Sequence, residues 1–254
     1  VSAYTGWLEL TVDMGEFPKE ELGRILAAYS QKKKYYRLKS GQFLMLDKGG
    51  MFTLTKLAGE LGISKKDLQS GTIRLPAYRA LYLDHILKEG PGITYYRDQL
   101  FKAMVRAVKA VEDSDEPVPA RFENVLREYQ KMGFRWMKTL DKCGFGGILA
   151  DDMGLGKTIQ VIALFEDAYS SGEKTPSLVV CPASLVFNWE QEIQKFAPDL
   201  KVQSVVGTGP QRMELLQSIK EGGLGCQVLI TSYDLLKRDI ANYEGIDFRF
   251  QIID

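Results

Sequence analysis

The feature that most constrains this chain is an alternation in its back half. Apolar runs (GGILAD, SLVVCP, KVQSVVG, QVLITSY and RFQIID) are separated by helix-period stretches over residues 158–170, 184–196, 210–221 and 234–243. A strand parallel to its predecessor cannot be reached by a tight hairpin; it needs a long crossover, which a helix supplies. Repetition of this kind predicts an α/β lobe, a parallel sheet covered by helices on both faces.

The front half reads differently. Residues 7–14, WLELTVDM, alternate Leu8, Leu10, Val12 and Met14 against Trp7, Glu9, Thr11 and Asp13, the period-two pattern of a half-buried strand. Pro18 can open a helix whose apolar residues Leu22, Ile25, Leu26 and Tyr29 fall on one face. In YYRLKSGQFLMLD, Ser40-Gly41 lies between two strand-like runs, a hairpin signal. Leu54, Leu57, Ala58 and Leu61 mark another helix, followed by a start led by Ser64 and helical stretches around 76–88 and 94–111. A smaller α+β domain over 1–111 is the expectation. The segment EDSDEPVPA, 112–120, combines four acids and two prolines with almost nothing apolar, so it is expected to be a linker, with the α/β lobe occupying 121–254.

Charge sharpens this division. The 33 basic and 33 acidic residues cancel, which excludes the uniformly basic chain of a simple nucleic-acid coat protein. The balance is uneven, however: residues 1–111 hold 18 basic against 11 acidic residues, and residues 121–254 hold 15 against 18. Lys32-Lys33-Lys34 beside Tyr35 and Tyr36 reads as a solvated helix end running into a strand rather than a phosphate-contacting edge. His85, in an apolar helical stretch, reads as a packing histidine rather than a base. Cys143, Cys181 and Cys226 show neither zinc spacing nor an even disulfide framework and read as ordinary thiols. No apolar run is long enough to span a membrane and no signal peptide is visible, so a cytoplasmic setting without a membrane partner is expected. Val1 at the start and Asp254 at the end of an apolar run are what a piece of a longer chain would show.

The strongest chemical signal is Asp151-Asp152-Met153-Gly154-Leu155-Gly156-Lys157-Thr158, between the expected strand GGILA and a helix, the context a Walker A loop requires. Gly154 and Gly156 permit a tight turn whose backbone N–H groups face phosphates, assisted by the positive end of the following helix. Lys157 would reach the β- and γ-phosphates of ATP, and the Thr158 hydroxyl would bind Mg²⁺. The literal pattern begins with glycine, whereas Asp151 stands here, which argues against a kinase or GTPase.

ILADDMGLGKTIQVIALF, preceded by LREYQKMGFRWM and followed by SLVVCPASLVFNWEQEIQKFAP and QVLITSYDLLKRD, resembles the first motor lobe of SWI/SNF-type ATPases. These are double-stranded-DNA translocases of helicase superfamily two, with a RecA-like lobe. The resemblance implies that Leu126-Arg127-Glu128-Tyr129-Gln130 reads adenine, with Gln130 on the base edge and Arg127 beside it; a proline is more usual than Glu128. It implies that CPASLVFNW, 181–189, and Thr231-Ser232-Tyr233 face DNA, through Ser184, Ser232 and Tyr233. Ser184 at a helix start serves equally as a cap, and Trp189 reads as core. Asp254 falls where the family holds Mg²⁺ through water, and a glutamate is expected next. The resemblance further implies a second lobe supplying an arginine finger, so residues 1–254 would bind ATP weakly and hardly hydrolyse it.

GWLELTVDMGEFPKEEL, KKKYYRLKSGQFLMLD and RLPAYRALYLD are similar to the helicase-associated domain preceding the motor in bacterial SWI/SNF-like proteins. The implied protein is bacterial and nucleoid-associated, with double-stranded DNA as partner and a DNA-bound protein as the object it remodels. Two other readings stand beside it. One is a non-enzymatic module in which nucleotide binding switches an interaction of the front domain; the other is an RNA helicase of the same superfamily. The sequence does not define an oligomeric state.

Overall fold

The computed structural model describes every residue except 5, 12–18, 47, 48, 65, 66, 68, 69, 111–114, 223 and 224. The chain forms two compact units. The first comprises Val1–Asp113 and Thr139–Gly147, and the second Ser114–Lys138 and Ile148–Asp254.

The first unit is built on a three-stranded antiparallel sheet in which β2 (Trp7–Thr11) lies between β1 (Ser2–Tyr4) and β5 (Thr72–Pro76). Leu8 pairs with Leu75 and Leu10 with Ile73, which puts four buried apolar side chains on one face, as the alternation of residues 7–11 requires. The remainder of that expected strand, including Val12 and Met14, lies outside the described residues, as does the helix start at Pro18. Helix α1 (Leu22–Ser30) follows, then the hairpin of β3 (Tyr35–Arg37) and β4 (Phe43–Met45) around Ser40-Gly41. Helices α2 (Gly49–Glu60), α3 (Ala80–Glu89) and α4 (Gln99–Lys109) complete the unit. β1, three residues long, carries no periodicity of its own, whereas β5 does: Ile73 and Leu75 are buried between exposed Thr72, Arg74 and Pro76, a signal that the expectation of a helix from about 76 leaves unused.

Two expectations for this unit are corrected. His85 is not a packing histidine: its side chain is 59% exposed and faces Glu89 one turn on. The polar group that α3 buries is its neighbour Asp84, 0% exposed. Residues 94–98 are not helical, and α4 begins where the Asp98 side chain accepts the Phe101 N–H at 2.7 Å, a side-chain N-cap.

The second unit contains α5 (Glu128–Cys143, of which 128–138 belong here), α6 (Lys157–Ser170), β6 (Ser177–Cys181), α7 (Val186–Phe196), β7 (Val202–Ser204), α8 (Gly209–Lys220), β8 (Val228–Ser232), α9 (Tyr233–Tyr243) and β9 (Gln251–Ile253). The sheet is entirely parallel in the order β7-β8-β6-β9. Its side chains divide by parity: Val179, Cys181, Val228 and Ile230 meet α6 and α7, whereas Leu178, Val180 and Leu229 meet Leu216 of α8 and Tyr243 of α9. Helices therefore cover both faces, and the fully buried strands read as continuous apolar runs.

Here too the structure departs from expectation in two places. GGILA forms no strand: residues 145–152 carry no regular secondary structure, and Ile148 is 87% exposed. Apolar content alone does not make a strand; β6 already has β8 and β9 on its two sides, and Gly146-Gly147 contributes no side chains to pack. The segment 112–120 does not lack packing: residues 112–114 are outside the described part, but Val118 is 7% exposed and joins the core beside Phe122 and Leu126. One apolar residue among acids and prolines is enough to tie the segment down.

Candidate nucleotide-binding site

The loop 151–158 owes its shape to two glycines. Gly154 (φ 85°) and Gly156 (φ 74°) both lie in the left-handed region, which a side chain would strain, and Gly156 is the residue from which α6 starts. A Cβ on Gly156 would also stand 2.6 Å from Gln130 Nε2. No side chain caps α6, so its first backbone N–H groups are left to a ligand at the positive end of the helix dipole.

The loop is tied to itself and to α5. The Lys157 ammonium donates to the carbonyls of Asp151 at 2.8 Å and Asp152 at 3.0 Å, bonds that an arriving phosphate would replace. The Leu155 carbonyl accepts from the Tyr129 hydroxyl at 3.1 Å and from Gln130 Nε2 at 3.0 Å. The other half of the Gln130 amide, Oε1, accepts the Arg127 N–H at 2.9 Å, while the Arg127 side chain is exposed just before α5. Asp152, Met153, Gly154 and Leu155 are exposed, Met153 almost completely, and Thr158 is half-buried in the first turn of α6. The exposed backbone, the uncapped helix start and the lysine form a donor set that fits a triphosphate.

Behind the loop lies a residue the sequence reasoning missed. Gln160 is 0% exposed; its Nε2 donates to Asp151 Oδ2 at 3.0 Å and to the Gly156 carbonyl at 3.4 Å, so it binds both ends of the glycine turn. Its Oε1 is buried without a partner. Gly133 of α5 leaves no room for a side chain beside it, since a Cβ there would run into Gln160 Oε1. A polar residue three positions after the lysine, directly before the wholly apolar run 161–165, was the available signal.

The remaining predicted residues gather at the carboxyl ends of the parallel strands. Asp254 follows β9, and its N–H donates to the Val180 carbonyl at 2.9 Å. Its Oδ2 accepts the indole N–H of Trp189 at 2.8 Å, and its carbonyl accepts the Tyr233 hydroxyl. Trp189 is core, 3% exposed. Ser184 is exposed in a short turn after β6; the cap position of α7 is Leu185, so the Ser184 hydroxyl is not used as that cap. Ser232 is buried, and its Oγ caps α9 by accepting the Leu235 N–H at 3.4 Å. Among the described residues no group of three or more His, Cys, Asp or Glu side chains forms a metal cage. Oxygen donors of this kind suit a hard cation held mainly by phosphate and water, to which Thr158 and Asp254 would each offer a side-chain oxygen.

Fold and loop define a parallel α/β lobe with a glycine-rich loop of the phosphate-binding kind, which a small α+β unit precedes in the chain. Residues 1–119 match the family described as bacterial SNF2 helicase associated, and residues 129–254 match the SNF2-related domain. The chain belongs to the SNF2 family. A Mycoplasma pneumoniae protein named an uncharacterized ATP-dependent helicase is 32% identical over 245 residues, covering 91% of this chain and 22% of that protein. The putative ATP-dependent helicase/translocase YwqA of Bacillus subtilis is 37% identical over 165 residues, covering 64% of this chain and 18% of its own length. The Sulfolobus solfataricus SWI2/SNF2 ATPase core in complex with dsDNA is 43% identical, with a TM-score of 0.44, covering 51% of this chain and 25% of that one. The chain thus spans about a fifth of the length of the two curated relatives.

Proposed function

We propose that residues 121–254 are the first motor lobe of a bacterial ATP-driven translocase acting on double-stranded DNA in the cytoplasm, at the nucleoid, with a DNA-bound protein as the object displaced. In this reading residues 1–111 are the helicase-associated domain and 112–120 connect the two. The single observation that carries the reading is the α6 start, where an uncapped helix end and the Lys157 ammonium converge on an exposed glycine loop.

Gly154, Leu155, Gly156 and Lys157 would hold the phosphates of ATP, and Gln130 with Arg127 would face the base. Thr158 and Asp254 would hold Mg²⁺, which neutralises phosphate charge when bound. Ser184 would offer its hydroxyl to a DNA phosphate, a contact that positions a duplex without reading its sequence, and Tyr233, whose hydroxyl is given to the Asp254 carbonyl, would lie against the same strand. Efficient turnover would need a second lobe.

The test is steady-state ATP hydrolysis by the intact protein without nucleic acid and with duplex DNA, single-stranded DNA or RNA. Stimulation chiefly by duplex DNA, abolished by Lys157→Ala, is expected. ATP binding without turnover under every condition would replace the motor by a nucleotide-gated switch, and preferential stimulation by RNA would make it an RNA helicase.

A further inference from the structure

We propose that the first unit carries a second phosphate-binding site, separate from the loop at 151–158, in the cleft between α3 and α4. Its cavity of about 320 Å³ is lined by Lys88, Arg97, Lys102, Val105, Arg106 and Lys109, five cations and one apolar residue. The convergence follows from helix geometry: Lys102, Val105, Arg106 and Lys109 share one face of α4, and Lys88 stands on α3 against it. In the sequence these charges are merely scattered; the fold collects them.

One carboxylate organises the cluster. Asp84 is fully buried on α3 and accepts from Lys88 Nζ at 3.0 Å, Lys109 Nζ at 3.2 Å and the Arg97 guanidinium. Arg97 is further held over the Tyr95 ring at 5.2 Å. Three cations already exceed what one carboxylate neutralises. Lys102 and Arg106 add two more, and among the described residues neither has a carboxylate partner; Lys102 lies over the Tyr96 ring at 5.7 Å. Like charges one turn apart on a helix repel. Around a concave surface that repulsion is relieved by an anion able to receive several donors at once, and phosphate oxygens suit both the guanidinium fork and the ammonium groups.

The cavity lies at the small end of the roughly 300–1,000 Å³ usual for ligand pockets, so it fits a compact di- or triphosphate. A nucleic-acid backbone would supply the same phosphate chemistry from a second source. Asp84 keeps Arg97 and the ammonium groups of two lysines in place before any ligand arrives, while the Lys88 and Lys109 side chains remain 46% and 58% exposed.

The test is calorimetric titration of the full chain carrying Lys157→Ala, which removes the contribution of the loop at 151–158. Inorganic triphosphate and, separately, short single- and double-stranded oligonucleotides are the probes. Lys102→Gln with Arg106→Gln should weaken binding at least tenfold without lowering the melting temperature, because all three partners of Asp84 remain. Lys32→Gln with Lys33→Gln, the same charge change elsewhere on the unit, should change it less than twofold. Binding of triphosphate identifies a free polyphosphate as the ligand; binding of oligonucleotides alone, lost with the same pair, identifies a nucleic-acid backbone. No binding of either probe, or an equal loss from the Lys32/Lys33 pair, overturns the site. ATP turnover by the intact protein is a separate readout, so failure here leaves the motor reading standing.

Discussion

The indole N–H of Trp189 donates to Asp254 Oδ2 at 2.8 Å, so a residue buried for its bulk also anchors an acid at the carboxyl end of β9. Together with the backbone bond from Asp254 to Val180, this fixes the carboxylate at both its main chain and one oxygen. In the proposed function the other oxygen would be left for a hydrated cation, and support of this kind would tune a metal ligand without touching the metal.

Trp189→Phe keeps an aromatic ring in the core and removes the donor. Stability should fall by about 1 kcal/mol, the net worth of one hydrogen bond. The Mg²⁺ concentration required for ATP binding should rise by about tenfold, the lower end of effects seen when such a supporting bond is lost. A Mg²⁺ titration of fluorescent-nucleotide binding checks this, and an unchanged requirement would remove Asp254 from the metal site.

Gln130 spends one amide oxygen lone pair on the Arg127 N–H and one N–H on the Leu155 carbonyl, which leaves one donor and one acceptor that in the proposed function would meet a base edge. Gln130→Ala should therefore weaken both ATP and GTP by loosening the loop, but ATP by about fivefold more than GTP, since a lost hydrogen bond is worth about 1 kcal/mol. Equal losses in competition binding would reduce Gln130 to a brace.

How far the sequence discloses this depends on whether a residue's role is local. The runs SLVVC and QVLITS announce buried parallel strands because nothing charged interrupts them, and Gly-Lys-Thr announces its own turn. GGILA shows the limit: it has the composition of a strand but no ladder partner, and partners are a property of the whole sheet. His85 and Asp84 show it again, since only the packing of α3 against α4 decides which of two adjacent polar residues is buried. Gln160 acts through residues nine positions back and on another helix, a relation no local pattern contains.

Gly133→Ala sets two effects against each other. Alanine is the better helix former by about 1 kcal/mol in the middle of α5. The added methyl, however, runs into the buried Gln160 Oε1 and would displace the side chain that joins Asp151 to Gly156. Overpacking of this kind costs about 1–3 kcal/mol, so the clash wins and thermal melting should drop by a few degrees. Gln160→Ala in the same chain should restore much of the loss, a non-additivity that a double-mutant cycle measures. Strict additivity would mean that the two residues do not meet.

The second unit should lose stability in alkali in an order set by its buried acids. Burial pushes the Cys226 and Cys181 thiols from 9.0 to about 11, the latter also feeling the Asp254 charge, and pushes the Tyr169 phenol from 10.0 to about 12. Each is held neutral in the fold and ionises more readily in the unfolded chain, so its contribution is complete below the unfolded pKa and lost as pH rises through the folded one. The decline should start above pH 9 with the thiols and continue to about 12 with Tyr169. For Tyr169 alone the rise from 10.0 to about 12 corresponds to roughly 3 kcal/mol. Its hydroxyl lies 2.6 Å from the Gln227 carbonyl, 3.1 Å from that of Thr175 and 2.7 Å from Ser177 Oγ, so Tyr169→Phe should destabilise the protein at neutral pH. The variant has no phenol to ionise. In urea titrations between pH 7 and 12, the gap between wild type and Tyr169→Phe should therefore narrow above pH 10 and then invert; a gap that stays constant to pH 12 would show that Tyr169 is not held neutral by its burial.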